Sequence, residues 1–331
     1  VIAQSEAAHY ARSLFAEMRD IARLIPVFEN TGIRRRYSCV PIEWYLGDHG
    51  WMDRTKLYIE NAVNLLETVT RRLLEEAKLQ TGDIDSIVVV STTGIATPSL
   101  DALLVERMGL RRDIRRLPVF GLGCAGGVTG LARAADLARA YPGSKVLFLV
   151  VELCALTFRK NDISKSNIVA TALFGDGAAG AILSTDGEGP SVRAAGEHTW
   201  PHSLDVMGWD MAEDGLKARF ATSIPGLVAS DFRTLLDEFL ARNAIARGDI
   251  DAFACHPGGA KVLDALEDAL DMPRGGLEDS RSILGDYGNM SAVTVLFVAE
   301  RMDVRKKAGR TLLTALGPGF SAAFLMLVNE R

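Results

Sequence analysis

The chain has few of the residues from which metal sites and disulfide frameworks are built. Its 331 residues include 4 cysteines, and no two of them form a Cys-x-x-Cys pair. Neither a zinc site nor a disulfide framework is indicated, and this cysteine usage fits a reducing, cytoplasmic location. His198 and His202 have the i, i+4 spacing of a helical metal site, but Pro201 disfavours a helix there. We therefore expect no metal.

A strong excess of charge and a long apolar run are also missing. The net charge of −5 predicts no nucleic-acid partner. The longest uncharged stretch, residues 311–329, is divided by Gly317-Pro318-Gly319, which favours two strands around a turn and no stable membrane insertion. The length suits one large or two medium domains. Because the first residue is valine, we expect the natural start to lie upstream, and a targeting segment there stays open.

Apolar periodicity predicts alternating helices and strands, and therefore an α/β fold. Residues 185–215 contain Asp186-Gly187, Gly189-Pro190 and several aromatic residues, and we expect them to be a loop-rich connection between two halves. Asp176-Gly177 is a turn signal before a strand of small residues within 170–184. The other predicted elements are an amphipathic helix over 1–25 ended by Pro26, helices over 52–79 and 100–108, and strands over 85–91 and 146–152.

The second half of the chain repeats the first. Gly82-Asp-Ile-Asp85 recurs as Gly248-Asp-Ile-Asp251, an offset of 248 − 82 = 166, and each copy lies between a predicted helix and a predicted strand. The same offset carries Cys124 to 290, beside Asn289, where a second glycine-rich turn opens an apolar helix. These landmarks indicate an internal duplication. We divide the chain into an N-terminal half, 1–190, and a C-terminal half, 191–331.

Cys124 lies where a short apolar run and a small-residue turn meet a long Ala/Leu/Arg helix. The N–H groups and the dipole at a helix N-terminus favour the thiolate, which is the reactive form of cysteine. The alternative is a buried structural cysteine at a tight turn. The turn alone does not distinguish the two interpretations.

The duplication supplies partners for this thiol. If the halves pack about a pseudo-twofold axis, Cys124 and Asn289 face each other, and His256 ends a strand near the same axis. A cationic His256 would stabilise the thiolate. His256 and Asn289 together would form an oxyanion hole, in which each donor is worth about 3–4 kcal/mol. The structural alternatives are a hydrogen-bonded core histidine and a helix-capping asparagine.

Four motifs in this order resemble the signatures of type III polyketide synthases, the chalcone synthase-like enzymes of the thiolase superfamily. The motifs are Gly123-Cys124-Ala125-Gly126-Gly127, His256-Pro257-Gly258-Gly259, Gly288-Asn289-Met290-Ser291 and Leu316-Gly317-Pro318-Gly319-Phe320. The resemblance implies a homodimer of five-layered αβαβα subunits. It also implies a Cys-His-Asn triad that loads an acyl group from acyl-CoA, decarboxylates malonyl-CoA and condenses repeatedly. CoA thioesters are then the substrates, and no cofactor is needed.

The resemblance assigns further positions. Phe174 matches a gate between the CoA tunnel and the cavity, Thr157 matches a cavity wall, and Arg34 matches a contact to CoA phosphate. Thr92 and Thr93 match a pair near the cyclisation pocket. The remaining matches are Ser291 beside the triad and the loop of Gly317, Pro318, Gly319 and Phe320 in the cavity wall.

Two departures from the plant pattern predict room for a larger starter. A second gate phenylalanine falls on Ala218, and Thr97 replaces a methionine that projects into the partner's cavity. The turn at Cys124 and the strand around Thr157 resemble bacterial members that make alkylpyrones or alkylresorcinols from long-chain acyl-CoA. The alternatives are a β-ketoacyl synthase III-like enzyme that condenses once and a silent acyl-CoA binding protein.

Overall fold

The computed structural model describes residues 1–15 and 25–330, and it is built from alternating helices and strands. The α-helices are α1 (Gln4–Leu14), α2 (Pro26–Asn30), α3 (Trp51–Ala77), α4 (Leu100–Met108), α5 (Gly126–Ala140), α6 (Lys165–Leu173), α7 (Ile224–Arg242), α8 (Ala260–Ala269), α9 (Glu278–Tyr287) and α10 (Thr294–Arg301). The strands are β1 (Ile2–Ala3), β2 (Arg35–Arg36), β3 (Ser86–Val90), β4 (Arg115–Val119), β5 (Val146–Leu153), β6 (Asp176–Leu183), β7 (Ser191–Thr199), β8 (Met207–Ala212), β9 (Gly215–Phe220), β10 (Ala252–Cys255), β11 (Gly309–Gly317) and β12 (Ser321–Asn329).

Two four-stranded sheets carry the duplication. Their strand orders are β4-β3-β5-β6 and β10-β11-β12-β7. The parallel pair β3 and β5 corresponds to the parallel pair β10 and β11, and each pair continues into an antiparallel strand, β6 or β12. The two Gly-Asp-Ile-Asp copies occupy equivalent places, since each includes the end of a short 3₁₀ turn, Thr81–Asp83 or Arg247–Asp249, shortly before β3 or β10. The repeat in the sequence is therefore a repeat in the fold.

Strand alternation separates the core into layers. On β3, Val88 and Val90 face a central layer with α5 and α10, while Ile87 and Val89 face α3 and α4 on the other side. The second sheet also packs on that central layer, and its outer face is covered by α7 and α8. The order is thus helix, sheet, helix, sheet, helix. Both faces of β3 are buried, which explains its continuous apolar sequence.

Most of the predicted elements are confirmed with small changes at their ends. The helix predicted over 52–79 is α3, the strand over 85–91 is β3, and the helix over 100–108 is α4. Residues 311–329 form two antiparallel strands, β11 and β12, on either side of Pro318, as predicted. No helix among residues 1–15 and 25–330 is long and apolar enough to cross a membrane.

The loop-rich interpretation of residues 185–215 is wrong for two strands. About half of this stretch is strand: β7 pairs with β12 across almost its whole length, and β8 pairs with β9 as a hairpin. Their sequences carry the glycine and polar residues of loops, and strand pairing elsewhere in the chain decided their conformation. Asp176-Gly177 likewise begins β6 instead of making a turn, because the buried Asp176 carboxylate accepts hydrogen bonds from the N–H groups of Cys39 and Ala155.

The predicted N-terminal helix is confirmed over α1, and the part of that prediction over 16–24 lies outside the described residues. Pro26 does not simply end a helix, since it is the first residue of the short helix α2. A fixed φ suits proline to this position. Helix α1 packs against α2 and α6 through apolar residues that include Ala11 and Ile168.

Candidate active site

Cys124 lies in a 3₁₀ turn, Gly123–Ala125, that runs directly into α5. Its side chain is 8% exposed. Gly123 has a φ of +48°, and a Cβ there would come within 2.5 Å of Cδ of Pro318. Only glycine therefore fits between the turn and the Gly317-Pro318-Gly319 loop. That loop packs directly beside Cys124.

The equivalent turn of the second half lies against the first. A 3₁₀ turn over Ser291–Val293 leads into α10, and a Cβ on Gly127 would come within 2.1 Å of the Ala292 carbonyl oxygen. The predicted approach of the two turns is present in the structure. The buried Cys124 thiol forms a hydrogen bond with the Ser291 side chain. The two turns therefore also meet through polar side chains.

Asn289 links this turn to the loop of His256. Its Oδ1 accepts a hydrogen bond from the Ser291 N–H at 2.8 Å, and its Nδ2 donates to the Gly258 carbonyl at 3.2 Å. The Gly258 N–H donates to the His256 carbonyl at 3.1 Å. An asparagine amide has a second N–H, which is available for a reacting group. Asn289 is therefore a fixed, buried donor.

His256 follows β10 and is 4% exposed. Neither ring nitrogen has a hydrogen-bond partner among residues 1–15 and 25–330. Burial lowers the pKa of His256 to about 3. Desolvation disfavours the charged ring, so burial opposes the expected imidazolium, which stays a prediction.

Burial also opposes the thiolate expected at Cys124, and that expectation likewise stays a prediction. Burial raises the pKa of Cys124 to about 12, and the nearby Glu152 carboxylate raises it further, whereas the hydrogen bond to Ser291 lowers it. Burial thus shifts both pKa values in the direction that favours the uncharged side chains.

Glu152 is the buried acid that sequence reasoning did not select. It is fully buried near the end of β5, where its Oε2 accepts from the Thr92 N–H at 3.0 Å and its Oε1 lies 3.5 Å from Oγ of Ser291. Burial raises the pKa of Glu152 to about 7. A single carboxylate within an otherwise apolar strand was the available signal.

The threonines predicted near the site hold its backbone. Thr92 Oγ1 accepts from the Gly123 N–H at 3.0 Å, and Thr93 Oγ1 accepts from the Leu153 N–H at 2.8 Å. Thr157 is buried and donates to the Cys154 carbonyl at 2.6 Å. Thr97, by contrast, is exposed on the loop before α4.

Phe174 lies next to Asn289 and is buried among aromatic rings. The Asn289 N–H donates to the Leu173 carbonyl and the Gly175 N–H to the Asn289 carbonyl, so Phe174 is held between them. Ala218 is buried in the same apolar cluster. Phe320 is fully buried with its ring 4.9 Å from that of Trp200, so it anchors its loop in the core.

The arginine run divides into two environments. Arg34 is exposed and pairs with Asp286 at 2.9 Å, and Arg35 is also exposed. Arg36 is buried and donates to carbonyls at the C-terminal end of α6, including that of Phe174 at 3.1 Å. Burial lowers the pKa of Arg36 to about 10. Arg36 thereby supports the position of Phe174.

An apolar cavity lies between α1 and the segment around Thr157. Its wall includes Cys154, Thr157 and Phe174 on the side of the candidate site. Other apolar side chains that line it include Ala7, Ala11, Leu14, Ile42 and Phe158.

Comparisons with known proteins agree with this architecture. The family pattern described as chalcone and stilbene synthases, N-terminal domain, matches residues 46–187, and the corresponding C-terminal domain pattern matches residues 191–328. A putative chalcone synthase from Bacillus subtilis is 37% identical over 99% of this chain and 95% of its own length. A 1,3,6,8-tetrahydroxynaphthalene synthase from Streptomyces peucetius is 40% identical over 93% of this chain and 84% of its own.

A solved structure extends the match to the whole fold. The crystal structure of 1,3,6,8-tetrahydroxynaphthalene synthase from Streptomyces coelicolor, a bacterial type III polyketide synthase, superposes with a TM-score of 0.94 at 30% identity, over 100% of this chain and 96% of that one. The thiolase-like fold is therefore confirmed. The chain belongs to the chalcone and stilbene synthase family and is a type III polyketide synthase, an acyltransferase.

Proposed function

We propose that the enzyme loads a long-chain acyl group from acyl-CoA onto Cys124 and extends it repeatedly with malonyl-CoA. The product is then closed to an alkylpyrone or an alkylresorcinol. The observation that supports a long starter is the apolar cavity beside Cys154, Thr157 and Phe174. Burying each methylene of an acyl chain there contributes about 0.8 kcal/mol. CoA thioesters are the substrates, and the proposal invokes no cofactor.

Cys124 and His256 together carry the proposed loading step. His256 accepts the proton of the Cys124 thiol as the sulfur attacks the thioester carbonyl of acyl-CoA. The C–S bond to CoA breaks, and the CoA thiolate takes the proton from His256. The N-terminal half, 1–190, thus supplies the nucleophile, and the C-terminal half, 191–331, supplies the proton acceptor.

Extension uses the same donors without a strong base. Malonyl-CoA loses CO₂, and the electrons of the broken bond form an enolate whose oxygen accepts hydrogen bonds from His256 and from the free N–H of Asn289. The enolate carbon attacks the acyl thioester on Cys124, which releases the thiolate for the next round. Fixed donors aimed at a developing oxyanion contribute about 3–4 kcal/mol each.

Arg34 is proposed as a contact for CoA phosphate. It is exposed, and its one carboxylate partner among the described residues, Asp286, is on the neighbouring helix α9. A phosphate with two negative charges competes well with a single exposed carboxylate for a guanidinium. The buried Arg36 does not share this role.

The first experiment is incubation with malonyl-CoA and acyl-CoA starters of increasing length, followed by mass spectrometry of the products and of the intact protein. We expect an acyl adduct on Cys124 and cyclised triketides or tetraketides that carry the starter's alkyl chain. A single β-ketoacyl product would identify a β-ketoacyl synthase III-like enzyme instead. A protein that binds acyl-CoA and forms no product would be the silent binding protein.

A second candidate product follows from the relatives named 1,3,6,8-tetrahydroxynaphthalene synthase. That naphthalene has no alkyl side chain, so such a product would leave the apolar cavity unused. Incubation with malonyl-CoA alone distinguishes the two candidates. A polyhydroxynaphthalene formed without any added starter would contradict the long-chain proposal.

The cavity has its own test. Ala11 is buried on α1 and lines the cavity, so Ala11→Phe fills it. We expect kcat/KM for dodecanoyl-CoA to fall at least about tenfold relative to acetyl-CoA. Ser13→Phe adds the same ring to the exposed face of the same helix and serves as the control. Equal losses for both starters in Ala11→Phe would contradict the assignment of the cavity.

The same proposal includes a homodimer. All but the last residue of β4 are exposed, and β4 is the edge strand of its sheet. Two large apolar side chains at or beside this strand, Leu117 and Phe120, are exposed as well. An unpaired strand edge with apolar neighbours is a favourable site for a second copy of the chain. Thr97, exposed on a nearby loop, would then lie at the partner.

A further inference from the structure

The C-terminal end of α6 leaves carbonyl groups that other segments have to satisfy. The Phe174 N–H donates to the Ala170 carbonyl at 2.9 Å and closes the last turn, whereas the Gly175 N–H leaves the helix and donates to the Asn289 carbonyl at 3.0 Å. Carbonyls at a helix C-terminus lack partners within the helix and carry the negative end of its dipole. Their partners therefore determine where this helix end lies.

Arg36 supplies most of these partners. Its Nη1 donates to the carbonyls of Thr171 and Phe174, and its Nη2 donates to the Ala172 carbonyl at 3.0 Å. The side chain is buried, and although burial lowers the pKa of Arg36 to about 10, the guanidinium is still charged at neutral pH. A cation at a helix C-terminus is stabilised by the helix dipole. Arg36 thus joins three carbonyls of one helix end through a single planar group.

Asn289 is attached to the same helix end. Its N–H donates at 2.8 Å to the Leu173 carbonyl, which lies between the carbonyls that Arg36 holds. The packing there is tight: a Cβ on Gly288 would lie 2.9 Å from the Leu173 carbonyl oxygen and 3.4 Å from Cβ of Arg36. A shift of the helix end therefore moves the backbone of Asn289, and the side-chain amide moves with it.

Gln4 of α1 orients the guanidinium. Its Oε1 accepts a hydrogen bond from Nη2 of Arg36, and its Nε2 donates to the Ala172 carbonyl at 3.0 Å and to the Phe28 carbonyl at 2.9 Å. Gln4 is 7% exposed, so these hydrogen bonds are shielded from water. The N-terminal segment thereby reaches the support of the candidate active site.

We propose that Arg36, oriented by Gln4, is a positioning residue for Asn289. Its contacts at the end of α6 hold the Asn289 side chain where the free amide N–H donates to the enolate oxygen formed from malonyl-CoA. This assignment rests on the proposed function, in which Asn289 is a donor for that enolate. The proposed loading step on Cys124 does not use the amide. Loss of Arg36 should therefore slow decarboxylation more than loading.

The test measures the two steps separately in Arg36→Met, which removes the guanidinium and keeps an unbranched side chain. Decarboxylation is followed as acetyl-CoA formed from malonyl-CoA alone, and loading as the acyl adduct that dodecanoyl-CoA forms on Cys124, by rapid quench and intact mass. We expect decarboxylation to fall at least about tenfold, because small displacements of reacting groups have large effects, while loading stays within about threefold. A smaller folded fraction would lower both rates by the same factor.

Arg35→Met is the matched control. Arg35 is the preceding residue of β2, and its exposed guanidinium lies 3.8 Å from Asp286. Both rates should stay within about twofold of the wild type. Arg36→Lys returns a cation with three donors and should recover decarboxylation at least about threefold over Arg36→Met.

Equal losses of both steps in Arg36→Met, or an unchanged rate of decarboxylation, would overturn the positioning role. If Arg36→Met does not fold, Gln4→Met replaces it. That variant removes the acceptor of Nη2, and decarboxylation should fall about threefold with loading unchanged.

Asn289→Ala distinguishes this role from the proposed function. If the wild type forms no acetyl-CoA from malonyl-CoA, or if Asn289→Ala forms it at the wild-type rate, the proposed function of Asn289 fails. If Asn289→Ala loses decarboxylation and Arg36→Met retains it, the role of Arg36 alone fails.

Discussion

Cys124 and His256 are both buried, and burial raises the pKa of the thiol and lowers the pKa of the imidazole. A neutral pair can transfer a proton within the site, and no charge has to be held in a dry environment before substrate arrives. The nucleophile is then formed during attack on the acyl thioester. The same burial protects Cys124 from oxidation, because oxidants react with the thiolate and burial disfavours the thiolate.

The role of Cys124 is tested by replacement. Cys124→Ala removes the sulfur and preserves the tight turn, so we expect condensation to be abolished and CoA binding to be retained. Product analysis and calorimetric titration with CoA measure the two properties. Unchanged product formation would contradict the assignment of Cys124 as nucleophile.

Glu152 gives a prediction for stability against pH. Its pKa is about 7 in the folded protein and near the ordinary 4.5 in the unfolded chain, so the folded state binds this proton more tightly. The resulting stabilisation, about 3 kcal/mol, is fully present below pH 4.5 and is lost as the pH rises through 7.

Glu152→Gln is neutral at every pH and removes this dependence. We expect the melting temperature of the wild type to fall more between pH 5 and pH 7.5 than that of the variant. Differential scanning fluorimetry in matched buffers measures both. Burial also raises the pKa of Asp176, but Asp176 is present in both proteins, so its contribution to the pH dependence cancels in the comparison. Identical pH dependence in the two proteins would contradict a protonated Glu152.

At the scale of elements, the site depends on how closely two helix-opening turns approach. The first turn of α5 touches the turn before α10 at Gly127, where a Cβ would lie 2.1 Å from the Ala292 carbonyl oxygen. Such a contact cannot be relieved by a side-chain rotation, because the obstructing atom is backbone. The turns would have to separate, and with them Cys124 and Asn289.

Gly127→Ala should therefore destabilise the protein and lower its activity more than the addition of one methyl group suggests. We expect a loss of several degrees in melting temperature and at least about a hundredfold loss in kcat/KM, since small misplacements of reacting groups have large effects. Gly226→Ala is the control: Gly226 lies in the first turn of α7, and a Cβ there meets nothing within 4 Å. Equal behaviour of the two variants would show that the contact at Gly127 is unimportant.

At the scale of the whole molecule, the exposed edge of β4 predicts association. Phe120 is 53% exposed beside that edge, and Phe120→Asp places a charge where we propose a second subunit. We expect the variant to elute as a monomer in size-exclusion chromatography with light scattering, while the wild type is a dimer. Leu204→Asp, at another exposed apolar position, should remain dimeric. A wild-type monomer would contradict the proposed dimer.

The sequence by itself determined the α/β class, the duplication and the motifs. These features depend on local signals: continuous apolar runs such as β3, glycine-rich turns, and a repeat of four residues at a fixed offset. It did not reveal β7 and β8, which lie in the stretch interpreted as loop-rich, because their conformation comes from pairing partners.

The burial of the site and the shape of its walls were decided only by the tertiary structure. The helix N-terminus favours a thiolate at Cys124, whereas burial raises the pKa of the thiol, and the extent of burial depends on every neighbour. Ala218 predicted room for a larger starter, and the structure buries it in one apolar cluster with Phe174. Local sequence specifies which chemical groups are present, whereas their charge and the volume around them depend on residues distant in the chain.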